Sequence, residues 1–212
     1  MSKKLFVFDC DGVLTDSKSS WLLLHEYFGS KDNTYFADLY RRGLISYLDW
    51  MKIDIALMIQ SRGGPIKREE VEKALSTVNI KPSAKLVVDE IKRRGHYVAV
   101  VSSGVDMLAA RVCRELGIDI CLYNELLFAG DELIPGGVDR VPLLKKREII
   151  ANLAKSLGIG LENTVYVGDS EWDIEVFKAV GVSIAVWPCG EACKHAKYVI
   201  RDLEELLNLD II

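Results

Sequence analysis

No stretch of this sequence is apolar for long enough to span a membrane or to form the core of a signal peptide; the opening run Leu5-Phe6-Val7-Phe8 stops at an aspartate. A soluble, cytoplasmic protein with no membrane partner is the expectation. A basic excess is lacking too. Lys and Arg number 27 against 31 Asp and Glu, a net charge of −4, which gives nucleic acid no support as a partner. Cysteine is sparse and odd in number: Cys10, Cys113, Cys121, Cys189 and Cys193. They sit in apolar or helical stretches, as free buried thiols do, and not in a disulfide framework. Cys189, Cys193 and His195 have the spacing of part of a metal site, but no fourth ligand stands nearby. The three histidines, His25, His96 and His195, avoid the ends of the expected strands, so none is given a catalytic role. Internal repeats and low-complexity segments are also absent. What remains is a chain of 212 residues, 50% apolar, enough for one core domain with a modest insertion.

The run Leu5 to Phe8 reads as a buried strand, short, continuous, aromatic and β-branched. From Lys18 to about Ser76 the pattern is helical throughout, with apolar stripes at Trp21–Phe28 and Tyr35–Tyr40. A wide face follows behind an N-cap at Ser46, and a further helix spans Lys67–Thr77. From Pro82 onward helices and strands alternate. Strands are expected at 96–101, 118–123, 164–167, 182–186 and 198–200, with a hairpin around Ala129-Gly130-Asp131. Helices are expected at 84–94, 105–116, 142–157 and 171–180. Alternation of this kind implies an α/β fold, a parallel sheet with helices on both faces. Residues 1–15 and 80–212 complete that pattern alone, so 16–79 is an all-helical insertion after the first strand.

Three expected strands end in small or acidic polar residues: Asp9-Cys10-Asp11, Ser102-Ser103-Gly104 and Gly168-Asp169. In a parallel sheet the carboxyl ends share one edge, where ligands bind. Side chains of a strand alternate, so Asp9 and Asp11 point the same way and repel unless a proton or cation lies between them. A strand-to-turn cap at Asp11-Gly12 accounts for the pair equally well. Asp173, one helical turn beyond Asp169, faces the same way, and Lys146 or Lys145 heads the helix before it. Hard carboxylate oxygens of this number suit Mg²⁺. A carboxylate in line with phosphorus can attack it, and a second can shuttle the proton. Ser103 and Gly104 offer backbone N–H groups to a phosphate at a helix N-terminus, or simply cap that helix. Arg41, Arg42 and Arg62 are either carboxylate binders or solvated surface charges. Trp21, Tyr47 and Trp50 read as packing residues of the helical block.

Asp9-x-Asp11-Gly12-Val13-Leu14-Thr15, Ser102 after a buried strand, Lys146 heading a helix and Gly168-Asp169-x-x-x-Asp173 together resemble the four motifs of the haloacid dehalogenase-like hydrolase superfamily. They occur in the right order over nearly the whole chain. The resemblance implies a Rossmann-like three-layer sandwich with a helical cap at 16–79. It makes Asp9 the nucleophile and Asp11 the general acid/base. Mg²⁺ would be held by Asp9, the backbone carbonyl of Asp11, and Asp169. Ser102 and Lys146 would grip the phosphoryl group, and Asp173 would support the metal shell or the lysine. Dehalogenases of the superfamily lack a carboxylate at the second position, so Asp11 places the chain with the phosphatases. The helical block is similar to the cap of phosphoserine phosphatases. Where that family has a glutamate facing the substrate amine, nine residues past the nucleophile, this chain has Lys18. Its fourth motif reads Gly-Asp-Ser-Glu-Trp-Asp instead of Gly-Asp-Gly-Ala-Asn-Asp. An ammonium at position 18 would repel a substrate amine. The implied partner is a small phosphorylated metabolite: phosphoserine, or else a sugar phosphate, phosphoglycolate or nucleotide. A module that binds phosphate or metal without turnover is the reading of another class, and the Asp9/Asp11 pair argues against it.

Overall fold

The computed structural model describes residues 3–31 and 34–212. Strand β1 (Leu5–Phe8) lies mid-sheet, paired in parallel with β2 (Tyr97–Val105) on one side and β5 (Thr164–Gly168) on the other. Beyond β2 come β3 (Ile120–Ala129) and β4 (Glu132–Val138); beyond β5 come β6 (Val182–Val186) and β7 (Tyr198–Ile200). The order β4-β3-β2-β1-β5-β6-β7 reverses direction around β1, so the crevice at its carboxyl end is a topological switch point. Among the described residues, all pairings between these seven strands are parallel but one. The hairpin β3–β4 is antiparallel, because β3 runs on to Ala129 and does not stop at Tyr123 as expected.

Alternation along β1 divides the core into two layers. Phe6 and Phe8 face one side with Val98, Val100, Val165 and Val167; Leu5 and Val7 face the other with Ala99, Val101 and Tyr166. Helices α5 (Pro82–Arg93) and α6 (Asp106–Leu116) cover the first face. The second is covered by α7 (Lys146–Ser156), through Ile150 and Ala154, and by the short α8 (Ile174–Phe177). Both helices on that face begin later than expected. A 3₁₀ turn over Leu143–Lys145 precedes α7, and another over Glu171–Asp173 precedes α8.

Among the described residues, the segment between β1 and α5 holds four helices: α1 (Ser20–Tyr27), α2 (Thr34–Arg41), α3 (Tyr47–Arg62) and α4 (Arg68–Ser76). Ser46 caps α3 in a reciprocal box with Asp49, each satisfying the other's backbone N–H. The chain leaves the sheet at Thr15 and returns at Ile80, where the two form an antiparallel bridge. Leu24, Ile55, Met58 and Val71 of this block join the core of the first sheet face, so the block is anchored by apolar burial.

Cysteine corrects the expectation of free thiols. Cys113 on α6 and Cys121 on β3 form a disulfide, their Cα atoms 6.6 Å apart, and Cys189 pairs with Cys193 at 5.2 Å. Only Cys10, among the described residues, remains a buried thiol. With both sulfurs bonded to each other, Cys189 and Cys193 offer no thiolate pair to a metal, and His195 stands beside Glu191 instead. No helix among the described residues is long and apolar enough to cross a membrane.

Candidate active site

The backbone N–H of Asp9 still donates to the Val167 carbonyl (2.9 Å), so the ladder carries this residue to the edge of the sheet. There Lys146 Nζ, 1% exposed, lies between two carboxylates, 2.7 Å from Asp9 Oδ2 and 2.9 Å from Asp173 Oδ1. Tyr166 donates its hydroxyl to the same Asp173 oxygen at 2.6 Å. The other Asp173 oxygen accepts from the N–H groups of Asp169 and Ser170 and from the Ser170 hydroxyl, each at 3.1 Å. Burial alone would raise the Asp173 pKa, but Lys146 and these donors outweigh it and hold the carboxyl below its ordinary value. For Lys146 burial works against the charge, yet Asp173 and Asp9 overcome it and push the ammonium up. Asp9 is pushed up to about 7 by burial against the pull of Lys146, and Asp169 to about 6 by burial and then the charge of Asp173. These two carboxyls are held where a further cation would favour their ionised forms.

Asp11 is fixed differently. Its Oδ2 accepts from both the backbone N–H and the hydroxyl of Ser20, each at 2.7 Å, at the positive N-terminal end of α1. Burial still raises its pKa, opposed by those two bonds. Glycines let these pieces approach one another. Gly12 has φ +71°, and a Cβ there would collide with the Asp169 carboxylate. At Gly104 a Cβ would stand 2.6 Å from Ser20 Oγ and 2.7 Å from Asp11 Oδ2.

These groups open onto one cavity of about 440 Å³. Asp9, Asp11, Lys146, Asp169, Ser103 and Gly104 are on its wall. Ser102 is not; its hydroxyl accepts from the Gly104 N–H at 3.0 Å and shapes the loop from behind. The Ser103 hydroxyl is buried without a hydrogen-bond partner, the kind of polar atom a ligand satisfies. Its carbonyl accepts from three side chains: Tyr47 Oη at 2.7 Å, Asn124 Nδ2 at 2.9 Å and Trp21 Nε1 at 3.2 Å. Two of those donors come from the helical block, which therefore grips the loop after β2. Trp21, Tyr47 and Trp50 pack together within the helical block, as expected, and their cluster also forms part of the cavity wall. Of the three arginines, Arg41 stacks on Trp172 at 4.3 Å and pairs with Glu171; Arg42 pairs with Asp38 and Arg62 with Glu70, both at the surface.

Asp9, Asp169 and Asp173 each offer an oxygen within 4.8 Å of the others. A set of hard carboxylate donors this close fits a small divalent cation. Since Asp173 already spends both oxygens on five donors, Asp9 and Asp169 have the freer atoms.

The sequence model of haloacid dehalogenase-like hydrolases matches residues 3–181. The chain belongs to that family. Among this hydrolase's relatives, the phosphoserine phosphatase of Methanocaldococcus jannaschii is 32% identical, with 97% of each chain aligned. That of Wolinella succinogenes is 27% identical over 96% of this chain and 98% of its own. Among solved structures, a phospho-aspartyl intermediate analogue of a phosphoserine phosphatase superposes with a TM-score of 0.82 at 29% identity, covering 98% of this hydrolase and 99% of the other. A substrate-bound phosphoserine phosphatase gives the same TM-score at 28% identity. The hydrolase thus falls with the phosphatases of its family, and its fold is theirs.

Several residues of the site carried no motif. Ser20 was hidden in an ordinary helix start, and Tyr166 in an apolar strand, where a lone hydroxyl was the available signal. Asp54 stood out only as a charge within the apolar stripe of α3.

Proposed function

We propose that this hydrolase cleaves phosphomonoesters of the phosphoserine type, with Asp9 as nucleophile, Asp11 as general acid/base and residues 16–79 as a cap over the leaving group. The observation that supports it most is the unlike treatment of two neighbouring carboxylates. Asp9 is pinned by Lys146 beside the metal-binding oxygens, whereas Asp11 sits on Ser20 with its pKa raised, suited to carrying a proton. An Asp9 oxygen attacks phosphorus as the ester P–O bond breaks, and Asp11 gives its proton to the departing alkoxide. The product is an aspartyl-phosphate on Asp9 and a free alcohol. Asp11 then takes a proton from water as its oxygen attacks the same phosphorus, releasing inorganic phosphate and restoring Asp9. Lys146 and the unpartnered Ser103 hydroxyl stand where they can meet the phosphoryl oxygens.

Asp9, Asp169 and the Asp11 backbone carbonyl would hold Mg²⁺. When bound, that cation neutralises charge shared between the phosphoryl group and the carboxylates. Asp173 keeps Lys146 in place, with its own oxygens already committed. The test is phosphate release from O-phosphoserine and from p-nitrophenyl phosphate, with Mg²⁺ and with EDTA. Release from both that disappears in EDTA is the expected result; release indifferent to EDTA, or none at all, overturns the reading.

A further inference from the structure

Of the 4 tryptophans in the chain, Trp21, Trp50 and Trp172 all stand on the wall of the cavity that Asp9 opens onto. They come from three separate elements: α1, α3 and the 3₁₀ turn Glu171–Asp173 of the core. Each packs against the cluster of Tyr40, Tyr47 and Met51, yet each stays half-buried, with part of its indole uncovered. Their poses are fixed by neighbours. Trp21 donates its indole N–H to the Ser103 carbonyl at 3.2 Å, so its ring adjoins the loop of the phosphoryl end. Trp172 carries the Arg41 guanidinium 4.3 Å above its ring, and its centroid lies 6.2 Å from Tyr40 and 6.4 Å from Trp50. The planes of Trp50 and Trp172 are inclined at 49°, so these two indoles meet at an angle instead of stacking on each other. Trp172 also stands where the fourth motif that this chain resembles has asparagine.

At about 440 Å³ the cavity lies within the roughly 300–1,000 Å³ of sites that enclose ligands larger than a phosphoryl group. The phosphoryl group occupies the carboxylate end alone. A small polar leaving group would leave the three indole surfaces wet. A saturated apolar group covers them and gains in proportion to the area removed from water. A flat aromatic group does more. It can lie offset on one indole while turning its edge to the next, the two arrangements that ring quadrupoles favour. Inclined rings offer both at once.

We propose that Trp172 is a specificity-determining residue of this site, and that with Trp21 and Trp50 it receives a flat aromatic ring carried by the leaving alcohol. The inference rests on the phosphomonoesterase reading and names the leaving group that this cavity accepts best: a ring-bearing alcohol, its phosphate at Asp9 and its ring among the indoles.

The deciding experiment compares kcat/KM for 2-phenylethyl, 2-cyclohexylethyl and ethyl phosphate. All three release primary alcohols of similar acidity, and the first two have equal heavy-atom counts. The wild-type protein should prefer the phenyl ester to the ethyl ester by about tenfold or more, and to the cyclohexyl ester by about threefold or more, as buried area and ring pairing together allow. In Trp172→Leu the preference for phenyl over cyclohexyl should disappear, chiefly through a higher KM for the phenyl ester, and Trp172→Phe should keep most of it. Equal wild-type efficiencies for the phenyl and cyclohexyl esters, or an ethyl ester as good as the phenyl one, overturn the proposal. So does a phenyl preference that survives Trp172→Leu with a native circular dichroism spectrum. If Trp172→Leu does not fold, the wild-type comparison of the two equal-sized esters decides. No release from these three esters while O-phosphoserine is cleaved overturns this inference alone, whereas no release from any ester, O-phosphoserine included, overturns the phosphomonoesterase reading with it.

Discussion

At one end of the cavity Lys146 is gripped by Asp9 and Asp173, Asp173 by five donors in all, and Asp11 by Ser20. At the cap end the wall carries Trp21, Tyr47, Trp50 and Asp54, with His25 Nε2 3.4 Å from Asp54 Oδ1. The first end is assembled from strand termini and backbone N–H groups, which the sheet fixes to within a hydrogen bond. The second is a helix face laid over the sheet edge, tied down through the Ser103 carbonyl. A rigid end suits the phosphoryl group common to every substrate, and a packed helical face suits the variable remainder of the molecule. If that division holds, damage to the first end should be indifferent to the leaving group, and damage to the second should depend on it.

The largest effect should come from Asp9→Asn. The amide has no anionic oxygen to attack phosphorus, so turnover should fall by about 10³-fold or more on every ester. The thermal transition should survive, because the shape is kept and Lys146 retains Asp173. Stopped assays on both an alkyl and an aryl phosphate check this; normal rates on either would break the assignment of the nucleophile.

Asp11→Asn should sharpen the comparison in a different way. An alkoxide needs a proton to leave and p-nitrophenolate does not. The loss should be about 10²- to 10⁴-fold on alkyl phosphates and much smaller in the first step on p-nitrophenyl phosphate. A burst of nitrophenol followed by slow turnover would mark the retained first step. Equal losses on both esters would deny Asp11 its role as acid.

Lys146→Met tests stability as well as rate. It leaves Asp9 and Asp173 buried without their cation, a change that costs about 3–5 kcal/mol. For a chain of this size that corresponds to a fall in melting temperature of roughly 6–20 °C. The deficit should shrink in the double variant Lys146→Met/Asp173→Asn, since one uncompensated charge goes with it. An unchanged melting temperature in the single variant would show the ion triad to be dispensable to the fold.

The same division explains what could be read from the sequence. Asp9, Asp11, Asp169 and Asp173 were legible because each sits at a fixed step from a strand end, where backbone geometry alone brings it to the crevice. Lys146 was legible only as one of two neighbouring lysines until the resemblance chose between them. Ser102 stands at the expected strand end, but the bond its hydroxyl accepts from the Gly104 N–H depends on the path of the loop and leaves no sequence pattern. Asp54 and the cavity-facing roles of Trp21, Tyr47 and Trp50 were not legible, since a stripe at helical spacing looks alike whether it faces a core or a cavity. The disulfide Cys113–Cys121 joins a helix to a strand, so its closeness follows from how α6 packs on β3 and not from the count of residues between them. The antiparallel β4 was foreseen as a hairpin arm, but its membership of the main sheet depends on β3 running unbroken into it.

The smallest effect concerns Lys18, which is half-exposed and bridges the rim of the phosphoryl end, from Asp169 Oδ2 at 3.3 Å to the Pro188 carbonyl at 2.6 Å. Its ammonium occupies an oxygen of a carboxylate assigned to the metal, so it competes with Mg²⁺ for Asp169. Asp169 is buried, but Lys18 reaches it from solvent, and screening of that half-exposed ammonium keeps the pair to about 0–1 kcal/mol. Lys18→Ala should therefore lower the Mg²⁺ concentration for half-maximal activity by up to about fivefold, which is the fold-change that 1 kcal/mol represents. Raising the ionic strength with an inert salt should narrow the gap between variant and wild type, because screening weakens the competing charge. The shift should be the same with an alkyl or an aryl phosphate, as befits a residue of the phosphoryl end. A half-saturating concentration that rises instead would mean that Lys18 holds Asp169 in its binding pose. A shift that depends on the leaving group would place Lys18 at the other end of the cavity, and the division between the two ends would fail at the residue that stands on their border.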